Sequence, residues 1–281
     1  MEKYVLVTGA SSGLGKATAQ KLADKGFMVF AGVRKSEDKQ TLEDLQKNII
    51  PIFIDVTSEE SVNCAFEQIS QITSKLYALV NNAGIALAGP VEYIPIEILQ
   101  KQFEVNVFGA IRVAQKVLPL LQKSEDCRIV NVSSMASYGI FPFVSPYCVS
   151  KRALDMFFNS LLLECKIPNL KVISIKPGVV STPIWNKSVD ESMKNLEHLC
   201  EEGKNKYKKE FKFLATNARK NNEKGLKSQD IANLVYKVLT VKNPALSYNI
   251  GSDSVFARFM SYLPQSLCNF LVKTGLKKRI N

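Results

Sequence analysis

The chain has 281 residues, of which 46% are hydrophobic and 22% charged, and its formal net charge is +11 at pH 7. This composition is typical of a globular protein with a substantial core, and no stretch reaches the roughly 18 apolar residues of a membrane span. The positive charge would suit nucleic acid, but the sequence has no helix-turn-helix, zinc-finger or RNA-binding signature. We therefore expect no nucleic-acid function.

The N-terminus, the cysteines and the single histidine exclude further classes of protein and of site. The chain enters an apolar run at once, without a basic leader, so we expect no signal peptide. Its six cysteines lie far apart and form no CxxC pair, which indicates reduced thiols and a cytoplasmic location. His198 is the single histidine, so we expect no metal site and no histidine-based triad.

Short apolar runs rich in Val and Ile alternate with helical patterns along the chain. Continuous apolar character bounded by turn residues is typical of strands that are buried on both faces. The alternation predicts an α/β fold, a parallel sheet covered by helices on both sides. The strand runs are 4–9, 28–33, 49–56, 77–84, 128–134 and 171–178, with a further run at 245–251, and the helical patterns are 14–25, 38–47, 59–73, 96–122 and 146–166.

The segment VTGASSGLG (7–15) follows the first strand and opens the first helix. That is the context of a dinucleotide-binding loop in a single, doubly wound, Rossmann-type sheet. Gly9 would permit the tight turn, Gly13 would let backbone N–H groups approach pyrophosphate, and Gly15 would let the helix pack on the strand. The helix N-terminus would add free donors and a positive dipole end. The alternative is an ordinary strand-to-helix turn.

The segment SPYCVSKRALD (145–155) places Tyr147 and Lys151 one helical turn apart. Taken alone, this spacing is more often a phenol packed into a core beside a solvated lysine. The other motifs of the chain change that interpretation.

The glycine spacing Gly-x-x-x-Gly-x-Gly resembles the classical branch of the short-chain dehydrogenase/reductase superfamily. The resemblance spans about residues 4–183, and the region 90–152 is similar to the branch that contains retinol and steroid dehydrogenases. It implies an oxidoreductase that transfers a hydride between a nicotinamide cofactor and an alcohol or carbonyl group. The remaining motifs stand in the family's order: DV at 55–56, NNAG at 81–84, Asn106, SS at 133–134, Tyr147 with Lys151, and PG at 177–178.

The resemblance implies a catalytic tetrad of Asn106, Ser134, Tyr147 and Lys151. Tyr147 would donate a proton when a carbonyl is reduced and accept one when an alcohol is oxidised. A free phenol has a pKa of about 10, and the charges of Lys151 and of an oxidised nicotinamide would lower it. Ser134 would hold the substrate oxygen. Its competitor is Ser133, which strand alternation turns to the opposite face.

Asn106 would hold a water that links Lys151 to solvent, again by resemblance. The same motifs imply the cofactor contacts, and Thr182 would touch the carboxamide or the phosphates. The full set of expected cofactor-binding residues is Gly9, Ser11, Ser12, Gly13, Leu14, Gly15, Arg34, Asp55, Val56, Asn82, Ala83, Gly84, Tyr147, Lys151, Pro177, Gly178, Val180 and Thr182.

The end of the second strand, AGVRKSED, bears on the choice of cofactor. NAD-preferring folds carry an acidic residue here for the ribose, whereas an arginine accommodates the extra phosphate of NADP. Arg34 therefore favours NADP(H) over NAD(H). Glu37 and Asp38 stand close by and would serve the ribose if the loop ran differently.

The segment between the catalytic serine and tyrosine indicates the substrate class. Its bulky side chains would form a wall for a hydrophobic alcohol or ketone, retinoid-, steroid- or lipid-like. The alternative is that they pack the domain or a subunit interface. A general carbonyl reductase, an acyl-carrier-protein ketoreductase and a non-catalytic nucleotide sensor also stay open, although the complete tetrad argues against the last. The wall residues are Tyr138, Ile140, Phe141, Phe143 and Val144.

The organisation expected is one dinucleotide-binding catalytic domain over 1–281, with a substrate-loop insertion at 183–227 and an amphipathic tail at 254–281. The tail contains five Lys/Arg and no Asp/Glu. Packing on its own domain, or on a sister subunit of a homodimer or homotetramer, is the commoner role of such a segment. Peripheral contact with a membrane is the other. The expected apolar stripes are Phe256, Phe259, Met260 and Leu263, then, beyond Pro264, Leu267, Phe270 and Leu271.

Overall fold

The structure is a computed structural model that describes residues 2–43, 45–181 and 201–280. Its strands are β1 (Tyr4–Val7), β2 (Met28–Val33), β3 (Ile49–Phe53), β4 (Ala78–Asn81), β5 (Cys127–Val132), β6 (Leu170–Pro177) and β7 (Ser247–Ile250). They form one sheet in the order β3-β2-β1-β4-β5-β6-β7, and every pairing is parallel. Each strand lies within or beside an apolar run of the sequence, so the predicted sheet is confirmed.

Helices lie between the strands and continue past the last of them. All five helical patterns of the sequence correspond to helices, with ends that differ by a few residues. The bounds are α1 (Gly13–Asp24), α2 (Ser36–Glu43), α3 (Glu59–Ile72), α4 (Ile96–Phe103), α5 (Gly109–Leu121), α6 (Ser145–Glu164), α7 (Glu201–Lys224), α8 (Ser228–Thr240), α9 (Ser252–Met260) and α10 (Gln265–Ile280).

Alternate side chains of the sheet enter two separate hydrophobic cores. Val5 and Val7 of β1 belong to a cluster with Leu22 of α1 and Val235 of α8. Leu6 belongs to a second cluster, which includes residues of α3, α5 and α6. Each fully buried Val or Leu side chain contributes roughly 1.5–3 kcal/mol to folding. Burial on both faces explains why the strand sequences are continuously apolar, and it confirms helices on both sides of the sheet.

The order of the strands fixes the position of a crevice. From β1 the chain winds outward through β2 to β3 and then returns to β4, on the other side of β1. Helices leaving β1 and β4 therefore diverge at the carboxyl ends of these strands. In open parallel sheets this topological switch point is where ligands bind.

The predicted helix over 96–122 is interrupted. A π-helical segment, Glu104–Phe108, separates α4 from α5, and Asn106 lies buried within it. Wider turns of this kind occur mostly at functional sites, and asparagine is a poor α-helix former. The sequence therefore carried a signal for the interruption at Asn106.

The described residues contain no helix long and apolar enough to cross a membrane. The five cysteines in these parts of the chain are free thiols. Within the same residues no three His, Cys, Asp or Glu side chains cluster as a metal site would require, and His198 lies outside them.

Candidate active site

A cleft of about 320 Å³ opens at the switch point between β1 and β4. It brings together residues that are far apart in the sequence, from the glycine-rich loop to the end of β6. Of the expected cofactor-binding set, Thr182 falls outside the described residues. The others all line the cleft: Gly9, Ser11, Ser12, Gly13, Leu14, Gly15, Arg34, Asp55, Val56, Asn82, Ala83, Gly84, Tyr147, Lys151, Pro177, Gly178 and Val180.

The glycine-rich loop has room for glycine alone at two of its positions. Gly9 has φ +64°, in the left-handed region, and a Cβ there would lie 2.9 Å from the Cα of Ala83. A Cβ on Gly15 would lie 2.2 Å from the carbonyl oxygen of Gly9. Both approaches are shorter than van der Waals contact. The tight turn and the close packing of α1 predicted from the sequence are therefore present.

Thr8 and Asn82 fasten this loop to the end of β4. The Asn82 Nδ2 donates to the carbonyl oxygens of Thr8 at 2.9 Å and Gly9 at 3.1 Å. The backbone N–H groups of Asn82 and Ala83 donate to the Thr8 Oγ1, each at 3.0 Å. Asn82 thus supports the loop, and Thr8, which sequence reasoning missed, is its partner.

The N-terminus of α1 has the hydrogen-bond donors and the charge that binding a pyrophosphate requires. Ser12 precedes the helix, and its side chain makes no capping hydrogen bond to any described residue. The first turn contains no acidic residue. Its backbone N–H groups and the positive end of the helix dipole therefore remain for an anion. Together with the glycine turn, these donors fit a dinucleotide cofactor.

Helix α6 and the end of β5 bring three of the predicted catalytic residues together. The hydroxyls of Ser134 and Tyr147 are hydrogen-bonded to each other. Lys151 is buried, its Nζ donates to the Val132 carbonyl at 2.8 Å, and it lies 5.8 Å from the centroid of the Tyr147 ring. The Val132 carbonyl thus holds the ammonium group next to the phenol.

The protein environment shifts both pKa values of this pair. Although the Tyr147 ring borders the open cleft, desolvation of its hydroxyl raises the pKa to about 12, partly opposed by the hydrogen bond with Ser134. Burial lowers the pKa of Lys151 to about 8, and the nearby carboxylate of Asp155 opposes that shift. The expected lowering of the Tyr147 pKa is therefore not produced by the chain's own residues. The phenol stays protonated at neutral pH, which is the form that donates a proton.

Asn106 lies beside this group, and its side-chain amide is hydrogen-bonded to protein atoms. Its Oδ1 accepts from the N–H of Ile85 at 2.9 Å, and its Nδ2 donates to the Ile85 carbonyl at 2.9 Å and to Ser150 Oγ at 3.1 Å. The side-chain amide is thus engaged by protein atoms and holds the loop after β4 against α6. The water relay through Asn106 stays a prediction.

The two adjacent serines differ in their bonding. Ser134 Oγ accepts from the N–H of Ala136 at 3.1 Å and is bonded to Tyr147. The Ser133 hydroxyl is buried and makes no hydrogen bond to any described residue. Both residues border the cleft. The link to Tyr147 favours Ser134 as the residue that meets a substrate oxygen.

A buried ion pair behind Lys151 was missed at the sequence level. Asp155 Oδ2 lies 2.8 Å from Lys176 Nζ, and Ser174 Oγ donates to Asp155 Oδ1 at 3.0 Å. Asp155 is one turn beyond Lys151 on α6, and this i, i+4 spacing predicts that the two side chains are neighbours but not the ion pair with Lys176. The pair joins α6 to β6 and places a carboxylate near the catalytic lysine.

The proposed substrate wall contacts helix α7 through aromatic rings. The Phe143 ring lies 5.7 Å from Tyr207, which in turn contacts Tyr93 and Phe211 at 6.1 and 6.4 Å between centroids. Phe143 also has φ +69°, a strained conformation for a bulky residue. Its carbonyl accepts from the N–H of Gly89 at 2.7 Å.

The same helix is joined by Glu92 to the segment between β4 and α4. The Glu92 carboxylate lies 2.7 Å from Lys206 Nζ and accepts from the Tyr207 hydroxyl at 2.6 Å. The lysine-rich insertion predicted at 183–227 thus places its described helix beside the apolar wall.

Arg34 is exposed at the end of β2 and lines the cleft. Glu37 and Asp38, the alternative partners for a cofactor ribose, lie in the first turn of α2. Neither is among the described residues that line the cleft.

Comparison with known proteins agrees with this geometry. A family model described as short chain dehydrogenase matches residues 3–193. The chain belongs to the short-chain dehydrogenase family. The match covers the glycine-rich loop, the whole of α6 and the end of β6, and so includes the cleft described above.

Relatives and a solved structure of this family resemble the chain over most of its length. The NADPH-dependent 3-dehydrocapnine reductase of Ornithobacterium rhinotracheale is 32% identical, and the match covers 98% of each chain. Estradiol 17-beta-dehydrogenase 2 of Rattus norvegicus is 34% identical over 97% of this chain and 74% of that protein. A short-chain dehydrogenase from Streptomyces avermitilis has a TM-score of 0.77 at 22% identity, covering 99% of this chain and 97% of that one.

Family membership confirms the resemblance to the short-chain dehydrogenase/reductase superfamily and to its steroid dehydrogenase branch. This short-chain dehydrogenase is therefore an oxidoreductase that acts on alcohol or carbonyl groups with a nicotinamide cofactor.

Proposed function

We propose that this short-chain dehydrogenase transfers a hydride between NADP(H) and a hydrophobic alcohol or carbonyl compound, retinoid-, steroid- or lipid-like. The observation that carries the proposal is the convergence of Ser134, Tyr147 and Lys151 in the cleft that also holds the glycine-rich loop. A nicotinamide cofactor held by that loop would supply or accept the hydride. The chain's own residues then have to hold the substrate oxygen and move one proton.

In this proposal each of the three residues has a separate task. Ser134 holds the carbonyl oxygen by a hydrogen bond and stabilises the negative charge that develops on it. Tyr147 donates its phenolic proton to this oxygen during reduction and accepts a proton during oxidation. Lys151, held by the Val132 carbonyl, places a positive charge beside the phenolate that proton donation leaves behind.

The preference for NADP(H) over NAD(H) is supported by Arg34. It is the charged residue that follows β2 and borders the cleft, whereas the two nearby acids do not border it. A guanidinium group donates two parallel hydrogen bonds to a phosphate. The relative from Ornithobacterium rhinotracheale is named as an NADPH-dependent reductase, which agrees with this preference.

Arg34→Ala should weaken the binding of NADPH by about 1.5–3 kcal/mol, the usual contribution of a hydrogen bond to a charged group. The binding of NADH should change much less, because it lacks the phosphate. Fluorescence titration with both cofactors measures the difference. Lys35→Ala is the matched control, since Lys35 is also exposed and cationic but is not among the described residues lining the cleft. Equal losses for both cofactors in Arg34→Ala would mean that Arg34 does not contact the phosphate.

A hydrophobic substrate is supported by the bulky side chains between Ser134 and Tyr147. One of them, Phe143, contacts Tyr207 of α7, and none of the five is among the described residues that line the cleft. One relative, estradiol 17-beta-dehydrogenase 2, is named for a steroid substrate, which agrees with a hydrophobic substrate. A panel of retinoids, steroids, long-chain ketones, β-ketoacyl thioesters and small polar ketones, followed by NADPH and NADH absorbance, tests the proposal. Selective turnover of β-ketoacyl thioesters would favour the acyl-carrier-protein ketoreductase alternative. Equal turnover of small polar ketones would favour a general carbonyl reductase.

The pH dependence of carbonyl reduction should follow the protonation of the Lys151 side chain. Its pKa is lowered to about 8, so the ammonium form is present below this pH and is lost as the pH rises through it. Tyr147, with a pKa of about 12, stays protonated throughout. We expect kcat/KM for the carbonyl substrate to be level below pH 8 and to fall above it. Lys151→Arg should abolish that fall, because arginine remains charged. A wild-type profile that stays flat to pH 10 would contradict the role given to Lys151.

A homodimer or homotetramer also remains a proposal. It is supported by an exposed apolar stripe on α6, which consists of Val149, Met156, Phe157 and Leu163. Such stripes are more often subunit contacts than free surface. The cytoplasmic location expected from the cysteines stays a prediction.

A further inference from the structure

The helices that follow β7 expose large apolar side chains. In α9 and the turn after it, Phe256, Phe259 and Tyr262 are 64%, 63% and 73% exposed, and in α10 Phe270 is 64% exposed. The stripe expected from the sequence is therefore divided, because Met260 and Leu263 are half-buried. The side of the tail that faces solvent thus carries several large apolar side chains.

Positive charge accompanies this apolar surface. Residues 254–281 contain five Lys/Arg and no Asp/Glu. Along α10, the stripe that begins with exposed Leu267 and Leu271 continues through Thr274 to exposed Lys278, at spacings of four, three and four residues. One face of this helix thus changes from apolar to basic toward its C-terminus.

The tail is fixed to the rim of the active-site cleft. Ser254 Oγ donates to the Lys176 carbonyl at 2.6 Å, and the Asp253 Oδ2 accepts from the N–H of Val179 at 2.7 Å. Gly178, between these two, lines the cleft, and a Cβ on it would lie 1.8 Å from Asp253 Oδ1. The N-terminal end of α9 is therefore anchored to the core at the carboxyl end of β6.

We propose that the exposed face of α9 and α10 is a docking surface for an anionic lipid membrane. Apolar side chains would enter the boundary between headgroups and acyl chains, and the basic side chains would lie against the headgroups. Because α9 begins at the cleft rim, a membrane bound there would lie near the entrance to the active site. The docking itself does not depend on the substrate proposed above.

The positive charge of the tail favours an anionic membrane over a second copy of this chain as the partner of this surface. Two tails related by a two-fold axis would bring the same surface together, and with it eight positive charges, from the exposed Arg258, Lys273, Lys277 and Lys278 of each, with no acidic partner from either tail. Like charges facing each other oppose such an interface. An anionic lipid surface instead attracts every one of these charges.

The test is cosedimentation of the full-length protein with vesicles of phosphatidylcholine alone and of phosphatidylcholine with about one-third phosphatidylserine. We expect binding to the anionic vesicles only, and loss of most of it when salt is raised from about 50 mM to about 500 mM. Failure to bind anionic vesicles at low salt would overturn the proposal.

Two sets of substitutions locate the surface. Lys273→Gln, Lys277→Gln and Lys278→Gln together should weaken vesicle binding about 100-fold, at about fivefold for each charge. The matched control carries the same change at three exposed lysines elsewhere, Lys47, Lys123 and Lys166, and should lose less than about threefold. Equal losses in the two variants would mean that net charge alone attracts the protein, and the proposal would fall.

The apolar contribution is tested by Phe256→Ser, Phe259→Ser and Phe270→Ser in one chain. This variant should lose vesicle binding, while its NADPH affinity, thermal midpoint and mass in solution remain those of the wild type. Unchanged vesicle binding in this variant would overturn the proposal. So would a fall in oligomeric mass, because the face would then be a subunit contact.

Discussion

Tyr147→Phe is expected to lower kcat by about 10²–10⁴, the usual contribution of a well-placed acid or base, while NADPH affinity stays within about twofold. The substitution removes the exchangeable proton and preserves the volume of the ring. Desolvation keeps the hydroxyl protonated at neutral pH, so the wild-type enzyme carries the form that this variant lacks. Steady-state turnover of a ketone and fluorescence titration with NADPH measure the two quantities.

Tyr236→Phe is the matched control for this variant. Tyr236 packs against Phe27 in the core that contains α1 and α8, away from the cleft, and its ring contact does not need the hydroxyl. It should keep wild-type turnover. If Tyr147→Phe retained more than about a tenth of the wild-type kcat, another group would be transferring the proton.

Ser134→Ala is expected to lower kcat by about 10²–10³, the loss seen when one donor to a developing oxyanion is removed. Ser134 lies at the end of β5 and is hydrogen-bonded to Tyr147, so its hydroxyl is next to the group that transfers the proton. Ser133→Ala is the informative comparison, because Ser133 also borders the cleft but makes no hydrogen bond to any described residue. It should change kcat by less than about fivefold. The reverse order of effects would assign the substrate oxygen to Ser133.

The sheet was predictable because its strands are buried on both faces. Five of the six residues of β2, for example, are buried, and the sequence there, MVFAGV, is continuous in nonpolar residues. The glycine-rich loop was predictable for a similar reason. At Gly9 and Gly15 the backbone leaves no room for a Cβ, and this constraint is visible in the sequence itself.

Helix α8 was missed although its signal is present. Ile231, Val235, Val238 and Leu239 are fully buried and fall at i, i+4, i+7 and i+8. The expected insertion ended at residue 227, and no element was predicted between it and the apolar run at 245–251. The helix covers the sheet beside α1, so it belongs to the core of the fold.

Features that depend on distant residues could not be predicted. The pKa of Tyr147 rises because desolvation outweighs the effects of its neighbours, and the extent of desolvation is set by the folded cleft. The contact of Phe143 with Tyr207 joins residues that no local pattern relates. The ion pair of Asp155 with Lys176 likewise depends on how α6 lies against β6.

The central claim is that the cleft transfers a hydride from NADPH to a hydrophobic carbonyl, with Tyr147 supplying the proton. The most direct measurement uses NADPH that carries deuterium at its transferable C4 position and an apolar ketone selected from the substrate panel. We predict an alcohol with one deuterium on its carbinol carbon, detected by mass spectrometry, and little or none of this product from Tyr147→Phe. An alcohol without deuterium, or no product from any ketone by a protein that binds NADPH, would contradict the claim.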